Sequence, residues 1–177
     1  MHNIDLESVR WGLVISLLTL LMGVYLGIHF GKDEDKIKGY LKEKATASTY
    51  YEGEAGLKKA VSDGWKYQKR SHEHFQGLGA ITLALMFLIS ISWLKPSLKS
   101  ILSITTSVGG FVYPLFWYLV SFKTAEVGKH AAKESYALIA QFGAGLYMLS
   151  FLVILITFVS YAVWKDDRPN FLSSLSD

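Results

Sequence analysis

The chain has 177 residues, 51% of them hydrophobic, and its 18 basic and 15 acidic side chains leave a net charge of +3. It contains no cysteine, which excludes disulfides, thiolate metal sites, iron–sulfur clusters and covalently attached c-type haem. Basic residues are interleaved with acids rather than gathered in a patch, so nucleic acid is not an expected partner.

The placement of charge says more than its sum. Four windows, 11–30, 75–94, 100–122 and 135–164, contain no Asp, Glu, Lys or Arg. A bilayer core about 30 Å thick takes about 20 apolar residues in a helix, and each window is that long. The pattern predicts an all-α integral membrane four-helix bundle, a single transmembrane domain spanning 1–177. The first window could be mistaken for a signal peptide. It runs into Gly-Ile-His-Phe-Gly-Lys-Asp at 27–33 instead of a small-residue cleavage site, so it reads as a retained helix.

Helix one carries a stripe of small residues, Gly12, Ser16, Thr19, Gly23, Gly27 and Gly31, suited to close approach of another backbone. The connection 31–73 follows. Its segments 36–47 and 55–69 are rich in Lys, Glu, Leu and Ala at helical spacing, and Tyr50, Tyr51, Gly53 and Gly56 mark a turn between them. Two short helices are expected there, the second leading into helix two. Helix two is expected to turn Gln76, Ala80 and Ala84 inward. Helix three should do so with Ser103, Ser107, Gly110, Pro114, Tyr118 and Ser121, with a kink at Pro114. Thr124 is positioned to cap a helix running unbroken into helix four. His130, Glu134, Ala137, Gln141 and Gly145 would then share one face. The fourth window is longer than a bilayer needs and should tilt or emerge.

Four spans define two sides. Side one holds both termini and the turn 95–99; side two holds the connections 31–73 and 123–134. Side two carries most of the Lys and Arg residues, so the positive-inside rule places it in the cytoplasm. A prokaryotic cytoplasmic membrane is the expected location. Trp11, Trp93 and Trp164 fall at side one as an interfacial belt, while Trp117 and Tyr118 approach side two.

Apart from His2, every histidine belongs to side two. His29 ends helix one, His72 and His74 open helix two, and His130 precedes helix four. Glu73, Gln76, Tyr118, Glu126, Glu134 and Gln141 lie at the same level. Polar groups at a membrane boundary tend to mark a function or a partner. Imidazoles from helices that leave a flat slot can hold haem b, and glycines beside them make the slot: Gly27 and Gly31 flank His29, and Gly77 follows His74. His29 and His74 are the expected ligands, with His130 next. Gln76, Tyr118 and Gln141 would bond propionates or a quinone carbonyl. A divalent metal held by His72, His74, His130 and Glu134 is the alternative. Successive helical residues advance about 100°, so His72 and His74 point about 200° apart. His74 is expected to face the bundle and His72 the surface.

The expected function is therefore a small membrane protein holding a histidine-ligated cofactor and exchanging electrons with a quinone or a partner subunit. A non-catalytic accessory or assembly subunit of a larger membrane complex is the alternative. A transporter or channel is third, because no window places an ionisable residue near the midplane. No Gly-x-Ser-x-Gly, His-Glu-x-x-His or phosphate-cradling glycine loop occurs, so no enzyme class is assigned.

Overall fold

A computed structural model describes residues 4–163, with the side chains of 161–163 excepted. His2, Trp164, Lys165 and Arg168 lie outside the described residues. The elements are α1 (Leu6–Thr46), α2 (Gly53–Ile91), α3 (Pro96–Val127), α4 (Lys129–Ser135) and α5 (Ala137–Val163). α1, α2, α3 and α5 are each long and apolar enough to cross a membrane. The chain is an integral membrane protein with an all-α four-helix bundle.

The membrane windows are only the cores of these helices. α1 has 41 residues and α2 has 39, lengths of roughly 60 Å at 1.5 Å per residue, about twice a bilayer core. The segment 36–47 is helical, as expected, and directly abuts helix one. It continues α1 through a kink at Asp33 (φ −124°, ψ 24°), just beyond the apolar window. The segment 55–69 is the first part of α2, as expected. Both reach beyond the apolar windows on side two and pack there against the end of α3. Leu26, Phe30, Ile37, Leu41, Phe75 and Ala125 form one continuous core along this part.

The turn 47–52 clamps the cap onto the C-terminal end of α3, whose last carbonyls have no partner within the helix. Tyr51 Oη donates to the Thr124 carbonyl at 2.8 Å, and Ser48 Oγ donates to the Glu126 carbonyl. Burial pushes the Tyr51 phenol up to about 12. Glu126 ties α1 to α3 through Lys44 at 3.3 Å, and within α3 it also pairs with Lys123 at 2.8 Å. The hydrogen bond from Lys123 is the main reason its carboxyl sits below the usual range; burial opposes that and Lys44 reinforces it.

Thr124 does not cap a new helix. It lies inside α3, and its hydroxyl donates back to the Val120 carbonyl at 2.7 Å. The break comes at Gly128, whose φ of +79° is open to glycine and strained for other residues. A second break at Tyr136 separates α4 from α5, so His130 and Gln141 do not share one continuous helix. α3 itself stays helical through Pro114. The Pro114 carbonyl accepts a hydrogen bond from Ser71 at 3.0 Å.

Inside the membrane region the small residues set the helix contacts. A Cβ on Gly12 would lie 2.6 Å from Met86 Sδ, and one on Gly23 would lie 2.9 Å from the Gln76 backbone nitrogen. The helix-one stripe therefore faces α2 and α3 as expected, except Gly31, which has nothing within 4 Å. Ser107 Oγ donates to the Gly12 carbonyl at 2.9 Å and pairs with Ser16 Oγ at 3.0 Å, so the buried hydroxyls are satisfied.

On α2 the inward face is Phe75, Gly79, Thr82 and Met86. Gln76, Ala80 and Ala84 are exposed, because the buried face of α2 runs one step away from them. α5 packs on α3 through Gly143, against Tyr113, and through Ser150, whose hydroxyl pairs with that of Thr105 at 2.7 Å; Gln141 is exposed, and a Cβ on Gly145 would meet nothing within 4 Å.

Side one is closed by an unexpected buried cation. Lys99 is 6% exposed, donates to the Ser90 carbonyl at 3.1 Å, and lies 3.5 Å from Asp5 Oδ2. The Asp5 backbone N–H donates to the same carbonyl at 3.2 Å. Hydrogen bonds from Ser8 hold the Asp5 carboxyl below its usual range, with help from Lys99 against burial.

Candidate functional site: the histidine level of side two

The four side-two histidines are at one level but face different neighbours. His29 is 40% exposed at its side chain, and its Nδ1 lies 3.0 Å from Asp33 Oδ2. Its ring stacks on Tyr25 at 5.9 Å. Asp33 also receives Lys36 at 2.7 Å, and that hydrogen bond is the main cause of its lowered carboxyl pKa. The kink at Asp33 therefore sits where the carboxylate reaches back one turn to His29 and forward to Lys36.

His72 is seated against α1. Its Nδ1 lies 2.8 Å from the Gly23 carbonyl, and its ring meets Phe30 edge-on at 5.7 Å. Gly27 makes room for it: a Cβ there would lie 2.8 Å from His72 Cε1. A carbonyl and a carboxylate can only accept, so both His72 and His29 must carry their proton on Nδ1 when neutral. Each then has Nε2 as its lone-pair nitrogen. Such a bond at the far ring nitrogen is the usual means of orienting a metal-ligating imidazole.

His74 lies on the opposite side of α2, against α3, with ring centroids 5.2 Å from Tyr113 and 6.3 Å from Trp117. It makes no hydrogen bond among the described residues, and it lines a cavity of about 280 Å³ with Leu78, Tyr113, Ala144, Tyr147 and Met148. The 200° separation of the two residues is as expected, but its consequence is not. α2 has a neighbour on each side, so both rings pack against protein.

His130 is exposed on α4, as is Glu134. Gln76 and Gln141 are exposed, and Tyr118 is partly buried, with its ring against Phe122 at 5.1 Å. No group of three or more His, Asp or Glu close enough to hold a metal ion occurs among the described residues. His72, His74, His130 and Glu134 are not gathered around one point. Nor are His29 and His74 placed as opposed ligands, since one is on α1 and the other faces α3. The residues present fit a single oriented imidazole better than a pair within one chain.

One further cluster lies at this level. Tyr67 and Trp117 stack at 5.4 Å, and Arg70 and Lys133 both lie over these rings. The spacing Arg70–His74–Leu78 was a visible signal, since steps of four keep one helix face. Lys133 could not be placed there without knowing how α4 folds back. A larger open cavity, about 790 Å³, lies in the cap between α1 and α2 beside Lys42, Leu57, Lys58 and Trp65.

Compared with protein-family models, with curated proteins and with solved structures, this chain matches none.

Proposed function

We propose that this chain is a small membrane protein holding haem b through a single histidine, His72, near side two. The observation that carries the reading is the bond from His72 Nδ1 to the Gly23 carbonyl, which leaves Nε2 as the donor nitrogen of a ring wedged between Gly27 and Phe30. His29, pinned by Asp33, is the next candidate. The proposed ligand thus differs from the expected pair, His29 and His74: His72 has a second bond that orients its ring, and His74 has none among the described residues. When bound, haem would supply one-electron chemistry, with a quinone or a partner subunit as the exchange partner. The chain's own part is to orient the imidazole and to shield it with Phe30.

The test is a spectrum. Protein produced with haem supply is expected to show a Soret band that shifts on reduction. His72→Ala should lose at least nine-tenths of it, while His74→Ala and His130→Ala keep it. A colourless wild-type protein after incubation with haemin would refute the reading. Loss in His74→Ala alone would return the ligand to the α2–α3 side.

The accessory-subunit reading is second, favoured by α5. Among the described residues that helix packs mainly on α3, and Leu138, Phe142, Leu149 and Ile156 are exposed along it. Lipid or a partner helix would cover them equally well. In either reading we place both termini on one side of a prokaryotic cytoplasmic membrane. Tags at residues 1 and 177 should be equally protected in sealed vesicles of one orientation; opposite protection would remove one span.

A further inference from the structure

The cluster around Trp117 has the chemistry of a second site. α5 packs on α3 and leaves a groove towards α2, lined by His74, Leu78, Ala144 and Met148 over the Tyr113 ring. At its side-two end the Arg70 guanidinium carbon lies 4.6 Å from the Trp117 ring centroid and 5.7 Å from that of Tyr67. Lys133 Nζ lies 5.6 Å and 5.3 Å from the same two centroids.

Neither cation makes an ion pair among the described residues, although six other lysines do. The acids nearest in sequence, Glu73 and Glu134, are exposed and pair with neither. Two partly buried cations over one pair of rings repel each other, and the π faces offset only part of that cost. An anion between them would remove it. Trp117 Nε1 is also buried without an acceptor. Arg70, His74 and Leu78 descend one face of α2, so the wall changes from cationic to polar to aliphatic with depth.

We propose that this groove binds an anionic phospholipid, with the phosphate at Arg70 and Lys133 and one acyl chain along Leu78, Ala144 and Met148. The arrangement needs a negative head and an apolar tail in one molecule. A zwitterionic lipid carries its own cation to the same place, and a free phosphate forgoes the groove. Basic side chains at a membrane boundary attract anionic lipid in general; here two of them lie over the Tyr67 and Trp117 rings, beside an apolar groove that His74 and Tyr113 connect to Trp117.

The full-length chain, delipidated in detergent, would be titrated with phosphatidylglycerol, with phosphatidylcholine of the same chains, and with inorganic phosphate, and read by native mass spectrometry. Phosphatidylglycerol should bind at least tenfold more tightly than phosphatidylcholine, and inorganic phosphate should not compete at equal concentration. Arg70→Gln with Lys133→Gln should reduce phosphatidylglycerol to the phosphatidylcholine level. Arg70→Lys with Lys133→Arg should retain it, which separates lost charge from lost folding. Ala144→Phe should fill the groove and lower binding at least tenfold, while Lys42→Gln with Lys58→Gln in the cap should change nothing. Equal binding of the two lipids, competition by phosphate alone, or undiminished binding in either the double glutamine variant or Ala144→Phe would overturn the assignment.

Discussion

Gly109→Leu is expected to release α5 from the bundle. α3 and α5 cross where glycines from each meet the other's backbone. A Cβ on Gly109 would lie 2.5 Å from the Tyr147 backbone nitrogen and 2.7 Å from the Gly143 carbonyl oxygen. One on Gly143 would lie 2.8 Å from the Tyr113 nitrogen. Side chains can turn aside from an intruding methyl group, but two helix backbones can only separate. Overpacking costs roughly 1–3 kcal/mol in cores that yield, so about 3 kcal/mol is the expected loss here. For a chain of this length that corresponds to a fall in melting temperature of roughly 6–12 °C. The consequence is local, because α5 has no comparable contact with α1 or α2. Gly145→Leu is the matched control, since a Cβ there would meet nothing within 4 Å and its melting temperature should match wild type. A Gly109→Leu protein as stable as wild type in detergent would mean that α3 and α5 do not cross at these glycines.

Gly128→Ala is expected to loosen the cap by about 2 kcal/mol, for a different reason. Gly128 has φ +79° and ψ 163°, a conformation open almost only to glycine, and strain of this kind costs about 1–3 kcal/mol. A Cβ there would also lie 2.4 Å from the Tyr50 ring. Tyr50 is 59% exposed and free to swing outward, so the clash can be relieved whereas the backbone strain cannot. Tyr50→Ala should therefore recover little of the loss in a double-mutant cycle, on the order of 0.5 kcal/mol. Thermal unfolding of the four proteins gives the cycle, and limited proteolysis of the turn 47–52 reports the cap directly. Full recovery in the double variant would show that contact with Tyr50, not φ, sets the requirement for glycine.

These two glycines also show how far the sequence could be read. The stripe Gly12, Ser16, Thr19, Gly23 was legible because small residues at steps of three and four lie on one helix face, and the structure buries them. Gly109 and Gly143 were not singled out. Gly109 and Gly110 are adjacent, so they point about 100° apart: Gly109 meets the α5 backbone, whereas Gly110 lies nearest Thr82 of α2, with the Tyr147 ring of α5 beyond it. A stripe can be read along one helix, but two faces of one helix can be assigned to two neighbours only once the bundle is assembled. Gln76, Ala80 and Ala84 show the opposite error: they lie exposed, because the face of α2 that meets its neighbours runs through Phe75, Gly79, Thr82 and Met86.

The candidate site divides in the same way. By itself the sequence determined four apolar helices and the collection of His29, His72, His74 and His130 at side two, because both depend only on residue type and distance along a helix. It also determined that His72 and His74 point apart, since 100° per residue is a property of the backbone. Only the tertiary structure decided what each ring meets. Gly23 offers its carbonyl to His72 because α1 crosses α2 at the small stripe, and Trp117 receives Arg70 because α2 packs on α3 and Lys133 because Gly128 turns α4 back against α3. Contacts of that kind join residues tens of positions apart, and no periodicity within a single helix specifies them.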